Sequence, residues 1–399
     1  MNILIINSGS SSIKYQLWRY PERKLLVKGL VERIGLDNAV ITHKSDPVYR
    51  HEIKINDHIH GIRIILEALT DPEHGVLGSL SEIHAAGHRV VHGGEQFTDS
   101  VLITPDVLDT IDNMSSLAPL HNPPNAAGIR AVMQNMPSIP NIAVFDTAFH
   151  QSMPQEAFLY AIPIKYYKED MIRKYGFHGT SYRYLTKKTA DILGNKPEDV
   201  NGVFCHLGNG SSICAVKNGK SVETTMGFTP LAGLVMGTRS GDIDPGVLFH
   251  MIRSGIVSNT SDLDTLLNKK SGLLSIYEKS SDMRDIEDNL TTDENAKLAF
   301  RMFTHRIRLY ISAYLSLTGP DSTIVFSGGI GENSPLVRDA VLCDLQHMGI
   351  KINKALNEKL PRGQWGTISD ADSKVKVLVI PTDEESQIAE DTYNIVAEL

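Results

Sequence analysis

Residues 2–18 read Asn2-Ile3-Leu4-Ile5-Ile6-Asn7-Ser8-Gly9-Ser10-Ser11-Ser12-Ile13-Lys14-Tyr15-Gln16-Leu17-Trp18, and their order decides the fold. Asn2 to Ile6 is a short β-branched run with strand character. Asn7 to Ser12 is a turn of small polar residues. Ile13 to Trp18 reads as a second strand. A Walker-type phosphate loop would instead run strand, turn, helix, and its GxxxxGK[ST] string is absent from the chain. The theme returns past the middle, where strand Val203-Phe204-Cys205 leads into His206-Leu207-Gly208-Asn209-Gly210-Ser211-Ser212 and strand Ile213 to Val216. Two strand–turn–strand units predict an internal duplication, with two related α/β domains that each carry a phosphate-facing hairpin.

Helical signals lie between the strands. Ile62 to Leu69 has apolar residues at helical spacing, and Ser181 to Leu193 follows a Gly-Thr-Ser start with an N-cap at Thr180 or Ser181. Ala296 to Leu317 is long and amphipathic, Ser334-Pro335 pairs an N-cap with proline at the first helical position, and Glu384 to Leu399 reads as a closing helix. Late strands are expected at Thr323 to Phe326 and Val375 to Ile380. The domain boundary is expected within Gln151 to Pro154, after the strand that ends at Phe145-Asp146-Thr147.

The 399 residues suit two or three domains, and an apolar share of 41% is enough for a full core. A net charge of −8, with no long block of one sign, argues against a nucleic-acid or anionic-membrane partner. No apolar run approaches the length of a membrane helix, and Ile3 to Ile6 is too short for a signal peptide, so the expected location is the cytoplasm. Cys205, Cys214 and Cys343 are odd in number and lack CxxC spacing, which suggests neither a disulfide framework nor a zinc site.

Four turns rich in glycine or serine are read as following strands: Asn7 to Ser12, His206 to Ser212, Gly237 to Asp242, and Ser327 to Asn333. Glycine lets the backbone come close to a phosphate and aim its N–H groups there. Any one such turn is ordinary, but four in one chain point to a nucleotide cleft. Lys14 follows the first turn, Arg89 sits in Gly87 to Gly94, and Arg239 lies inside the third. The planar guanidinium fork binds a carboxylate or phosphate with two bonds, which suits a site that must orient its ligand. Asp146 at a strand end and Glu384 at a helix start are the acidic candidates, able to hold a hard cation directly or through water.

These segments, in this order, resemble the acetate kinase family within the superfamily of actin, sugar kinases and heat-shock chaperones. The resemblance rests on Asn7 to Lys14, Gly87 to Glu95, Ala118-Pro119-Leu120-His121-Asn122-Pro123, Val144 to His150, Tyr175 to Ser181, Cys205 to Ser212, Met236 to Pro245 and Gly328 to Asn333. It implies an α/β chain of two duplicated ribonuclease H-like, actin-type ATPase domains with a cleft between them. Residues 1–150 plus 384–399 would form the acyl-substrate and metal lobe, and 151–383 the nucleotide-binding lobe. The implied reaction is reversible Mg²⁺-dependent phosphoryl transfer between ATP and acetate, giving acetyl phosphate and ADP, with Mn²⁺ as a possible substitute. Asn7 and Glu384 would hold the metal. Lys14, His206, Leu207, Gly208, Asn209, Gly210, Asp282, Met283, Arg284, Gly329, Ile330, Gly331, Glu332 and Asn333 would line the nucleotide. Arg89 and Arg239 would bind carboxyl and phosphoryl oxygens, and Val91, Leu120, Phe177 and Pro230 would enclose the substrate methyl group. Asp146 would be the catalytic carboxylate and His178 would stabilise the transition state. A homodimer is a further family expectation.

The chain departs from the family strings at four places: Ser8 for Ala or Cys, Tyr182 for His, Ala232 for Glu and Asp383 for Asn. None removes a proposed catalytic group. A carboxylate nucleophile is already ionised near neutral pH, so Asp146 is expected to orient an arginine or a metal-bound water rather than take a proton. Rival readings are a propionate or butyrate kinase, a sugar or glycerol kinase, and an ATP-driven chaperone or filament protein.

Overall fold

The computed structural model describes residues 1–399. The chain divides into two compact units, Met1–Phe149 with Asp383–Leu399, and His150–Thr382. The expected division lies one residue later at each crossing, and Gln151 to Pro154 falls inside the second unit.

The first unit is built on an eight-stranded sheet of β1 (Asn2–Ser8), β2 (Ser12–Arg19), β3 (Lys24–Glu32), β4 (Val40–His43), β5 (Tyr49–Glu52), β6 (Ile83–Val90), β7 (Val101–Leu102) and β8 (Asn141–Phe145), in the order β5-β4-β3-β2-β1-β6-β8-β7. β1 pairs antiparallel with β2, from Asn2 opposite Arg19 to Ser8 opposite Ile13, and parallel with β6. β1 is apolar at successive positions because both its faces are covered. Leu4 and Ile6 join a core with Ile62, Ile65, Ala131 and Val132 from helices His58–Leu69 and Asn122–Asn135. Ile3 and Ile5 point the other way, toward Ile388 and Ala389 of the closing helix Glu384–Val396.

The second unit has a six-stranded sheet of β9 (Gly202–Leu207), β10 (Ser211–Lys217), β11 (Lys220–Thr224), β12 (Thr323–Ser327), β13 (Gly366–Thr367) and β14 (Lys376–Val379), ordered β11-β10-β9-β12-β14-β13. An antiparallel meander β9-β10-β11 is followed by parallel β12 and β14, the same pattern as β1-β2-β3 followed by β6 and β8. The duplication read from two hairpins is therefore a duplication of sheet topology. Helix Glu294–Thr318 packs Phe303, Ile307 and Ile311 on this sheet. The cysteines are all free, and Cys205 and Cys214 are buried.

Three local expectations are corrected. The Gly237 to Asp242 turn follows no strand, since β11 ends at Thr224 and irregular backbone intervenes. Gly328 to Asn333 is a short helix rather than an open turn. The helix ending at Leu193 starts at Gly179, with His178 as its N-cap in a left-handed conformation, φ 58°. Ser334, by contrast, caps helix Pro335–Leu342 by accepting the Val337 N–H at 2.9 Å.

Candidate active site

In the first unit, parallel strands bring three side chains to one edge. Asn7 stands near the end of β1, Arg89 near the end of β6, and Asp146 follows β8, its N–H donating to the Val90 carbonyl at 2.9 Å. The carboxyl ends of parallel strands are where such sheets present ligand-binding groups. Arg89 grips Asp146 with two nitrogens: Nε lies 3.1 and 3.3 Å from the two carboxylate oxygens, and Nη2 lies 2.6 Å from Oδ2. Its Nη1 reaches Asn7 Oδ1 at 3.5 Å, and Glu384 Oε2 lies 4.0 Å from Nε. Burial works against the Arg89 charge, but Asp146 and Glu384 outweigh it and hold its pKa above the ordinary arginine value. Lys14 lies opposite Asn7 in the β1–β2 ladder and is exposed.

Burial pushes Glu384 up to about 7, with Asp146 and Glu385 adding to the rise while Arg89 and Lys14 oppose it. A carboxyl raised in the folded state binds its proton more tightly there than in the unfolded chain. Stability from this group is therefore lost as pH rises from about 4.5 through about 7. In chelator, Glu384→Gln should melt several degrees above the unmutated chain at pH 8 and level with it near pH 4. Equal melting at both values would rule out the penalty.

Two asparagines from the start of helix Asn122–Asn135 clamp this edge. Asn125 Oδ1 accepts the Val91 N–H at 3.1 Å, while its Nδ2 donates to the Ser8 carbonyl at 2.7 Å. Asn122 accepts from the His92 N–H at 3.0 Å and donates to the His92 carbonyl at 2.9 Å. One amide thus ties the Asn7-Ser8 turn to the segment after Arg89. Val91 is buried, whereas Leu120 is 59% exposed, so only the first is enclosed as a pocket residue should be. Asp383 caps the closing helix by accepting the Ser386 N–H at 3.0 Å. That places the departure from Asn in a helix start.

In the second unit, the β9–β10 hairpin sets the geometry. Gly208 N–H donates to Ser211 Oγ at 3.1 Å, and Ser211 Oγ donates back to the Gly208 carbonyl at 2.8 Å. A Cβ on Gly210 would lie 3.5 Å from Arg239 Nη1 and 3.7 Å from His178 Nε2, so both side chains face this turn. The His178 and His206 rings are stacked at 4.2 Å. Segment 236–239 has no regular structure of its own. It is held by the start of helix Gly272–Tyr277, whose Leu273 and Leu274 N–H groups donate to the Met236 and Gly237 carbonyls at 2.9 Å each. Gly272 sits at φ +67°, and a Cβ there would meet the Met236 carbonyl oxygen at 2.2 Å, so this close approach requires glycine.

Arg239 has no carboxylate partner. Nη1 reaches only the Pro230 carbonyl at 3.4 Å and the Met236 sulfur at 3.9 Å, and burial with no compensating anion lowers the Arg239 pKa. A guanidinium so placed is built to receive an anion. A cavity of about 560 Å³ lies nearby, lined by Gly208, Asn209, Asp282, Met283, Arg284, Gly329, Ile330 and Asn333 among others. Arg284 is paired with Asp282, Nη2 to Oδ2 at 2.5 Å.

The sequence profile of the acetokinase family matches residues 2–390. The chain belongs to the acetokinase family. It is 51% identical to an acetate kinase of Thermotoga petrophila, each chain covered over its full length. Among solved structures, it superposes on a Porphyromonas gingivalis acetate kinase at TM-score 0.95 and 42% identity, with 99% of each chain covered. It also superposes on a Francisella tularensis propionate kinase at TM-score 0.92 and 39% identity, again covering 99% of both.

Not every side chain expected from the acetokinase strings reaches the cavity. Leu207 lies in the apolar core, since its strand position points inward. Glu332 turns back to accept from the Gly328 and Thr382 N–H groups at 2.9 and 3.1 Å. The Gly331 carbonyl accepts from buried Arg338 at 2.8 Å. Ser281, Glu287, Ser334 and Arg362 line the cavity and escaped the sequence reading. Arg362 sits in Pro361-Arg362-Gly363, next to one glycine, whereas Arg239 lies in Gly237-Thr238-Arg239-Ser240-Gly241. It lies outside the four glycine- or serine-rich turns, and its one glycine neighbour is the signal the sequence offers for it.

Proposed function

We infer that this acetokinase catalyses reversible phosphoryl transfer between ATP and acetate, forming acetyl phosphate and ADP by in-line attack of the carboxylate. The observation that carries this reading is Arg239, a largely buried guanidinium without a carboxylate partner, beside His178 and the Gly208–Gly210 turn. Two anions must meet during the reaction, so its main demand is charge neutralisation and alignment rather than proton removal. Arg239 and His178 would bind the transferring group. Arg89 would hold the acyl carboxylate, with Asp146 fixing its orientation. The cavity at Asn209, Met283 and Ile330 would take the nucleotide, so the second unit would be the nucleotide side and the first the acyl and metal side.

Asn7, Asp146 and Glu384 offer oxygen donors only, and no group of three or more His, Cys, Asp or Glu forms a dedicated metal cage. That donor set fits Mg²⁺, or Mn²⁺, bound by one or two carboxylates together with water and substrate phosphates. The ion would supply neutralising charge on the phosphoryl oxygens. Homodimerisation is supported by exposed apolar side chains at Ile162, Ile164, Val247, Phe249, Ile252 and Ile256. No helix is long and apolar enough to cross a membrane.

The test is acyl-phosphate formation from ATP with acetate, propionate and butyrate side by side, trapped with hydroxylamine. Acetate should give the highest kcat/KM. No hydroxamate with any acid would refute the reading, and a clear preference for propionate would favour the activity named for the Francisella relative. Val91 should set chain length, because one methylene in an apolar pocket changes discrimination by about 1–3 kcal/mol. Val91→Ala is expected to improve propionate relative to acetate by roughly tenfold. An unchanged ratio of kcat/KM values would take Val91 out of the pocket.

A further inference from the structure

Tyr182, where the chain departs from the expected string, is fully buried in the first turn of the helix that His178 caps. Its hydroxyl lies 2.6 Å from Ser212 Oγ, and Ser212 Oγ lies 2.8 Å from His178 Nδ1. Ser212 is itself fully buried in β10, and its hydroxyl makes no other hydrogen bond. The phenol also has Ser212 as its only side-chain partner. Burial holds the Tyr182 pKa well above the ordinary tyrosine value, so the phenol keeps its proton.

Three polar atoms in a row can share their hydrogens in few ways. The Tyr182 hydrogen has one available acceptor, Ser212 Oγ. Leaving a buried donor without an acceptor costs free energy, which favours donation from Tyr182 to Ser212. The Ser212 hydrogen then has one available acceptor, His178 Nδ1. An Nδ1 that accepts carries no hydrogen, so the neutral imidazole holds its proton on Nε2. The reverse direction, with Nδ1 donating to Ser212 and Ser212 to Tyr182, would orphan the phenol hydrogen. Nε2 is the atom that faces the Gly210 turn together with Arg239 Nη1.

We propose that Tyr182 and Ser212 are positioning residues that lock His178 in its Nε2–H tautomer and aim that hydrogen at the bound phosphoryl group. This rests on the reading of His178 as a group that contacts the transferring phosphate. The division of labour follows from it. Arg239 supplies the full positive charge, and His178 supplies a hydrogen-bond donor directed from Nε2. A donor already turned to its acceptor needs no reorganisation at the moment of reaction.

The test is ¹⁵N NMR of the full chain labelled in histidine, with the His178 signals assigned by comparison with His178→Gln. In the unmutated chain, Nε2 should show the shift of a protonated ring nitrogen and Nδ1 that of an unprotonated one. Ser212→Ala should bring in an Nδ1-protonated population and lower kcat roughly tenfold, with KM for ATP and acetate within about twofold. Ser212→Thr, which keeps a hydroxyl, should restore both. Tyr182→Phe should give a smaller shift in the same direction. A His178 protonated on Nδ1 in the unmutated chain would overturn the proposal, as would an unchanged signature in Ser212→Ala. An unchanged Tyr182→Phe would remove Tyr182 from the relay. The tautomer is read without turnover, so a wrong assignment here and a failure of the hydroxylamine assay are separate outcomes.

Discussion

Arg239→Ala should lower kcat for acyl-phosphate formation by about 10³–10⁵, the range seen when an arginine that meets transition-state charge is lost. That corresponds to roughly 4–7 kcal/mol of barrier. The size follows from the setting. The guanidinium is largely withdrawn from water, touches one carbonyl and one sulfur, and is balanced by no carboxylate. An anion that arrives in front of it meets a charge that is already desolvated and already placed. Arg239→Lys should recover little, because a point charge cannot reproduce a two-nitrogen fork. Removing an unbalanced buried cation should leave the melting temperature of the ligand-free chain level or raised. A drop in kcat below tenfold would reject the role, and a strongly lowered melting temperature would reassign Arg239 to structure.

Asp146→Asn is expected to lower kcat/KM for acetate by roughly 10²–10³, a loss typical of one misdirected transition-state contact. Asp146 receives Arg89 on both carboxylate oxygens, with distances from 2.6 to 3.3 Å. An amide offers one acceptor and turns an N–H group at the guanidinium. Arg89 would lose half of its anchorage and drift from the position in which it holds the acyl carboxylate. The pattern separates orientation from proton transfer. If Asp146 orients Arg89, KM for acetate rises, KM for ATP holds, and the pH profile keeps its shape. If Asp146 takes a proton, the acidic limb of the profile disappears in the variant. Activity within fivefold of the unmutated chain would remove Asp146 from the site.

Much of this was legible because the signals are local. β1 and β2 announce themselves by an apolar run, a serine-rich turn and a second run, and the β9–β10 hairpin repeats that grammar. Ser334-Pro335 is a helix start written in two residues. Arg89, Asp146 and Glu384 stand at element ends, where side chains are free to meet a ligand. What escaped depends on distant chain. Segment 236–239 looks like a strand-end turn by composition, yet its shape comes from amides more than 30 residues later. Glu332 has the same type as a ligand-facing acid, but Thr382, far along the chain, claims its carboxylate. Asn122 and Asn125 sit in a Pro-Pro context and carry no periodic signal, since a buried amide clamp is defined by its two partners. The left-handed His178 cap follows from the same limitation, because two hydroxyl residues beside it were better cap candidates by type alone.

The closing helix Glu384–Val396 carries a consequence for how the protein is made. It covers Ile3 and Ile5, the second face of β1, and it is synthesised after the whole of His150–Thr382. The intervening unit, His150–Thr382, is a single continuous stretch and holds its own core within that span. On the ribosome, the unit His150–Thr382 can therefore mature while β1 still waits with one apolar face bare. β1 is therefore sealed only after the unit that follows it has been made, and until then its bare apolar face is open to aggregation.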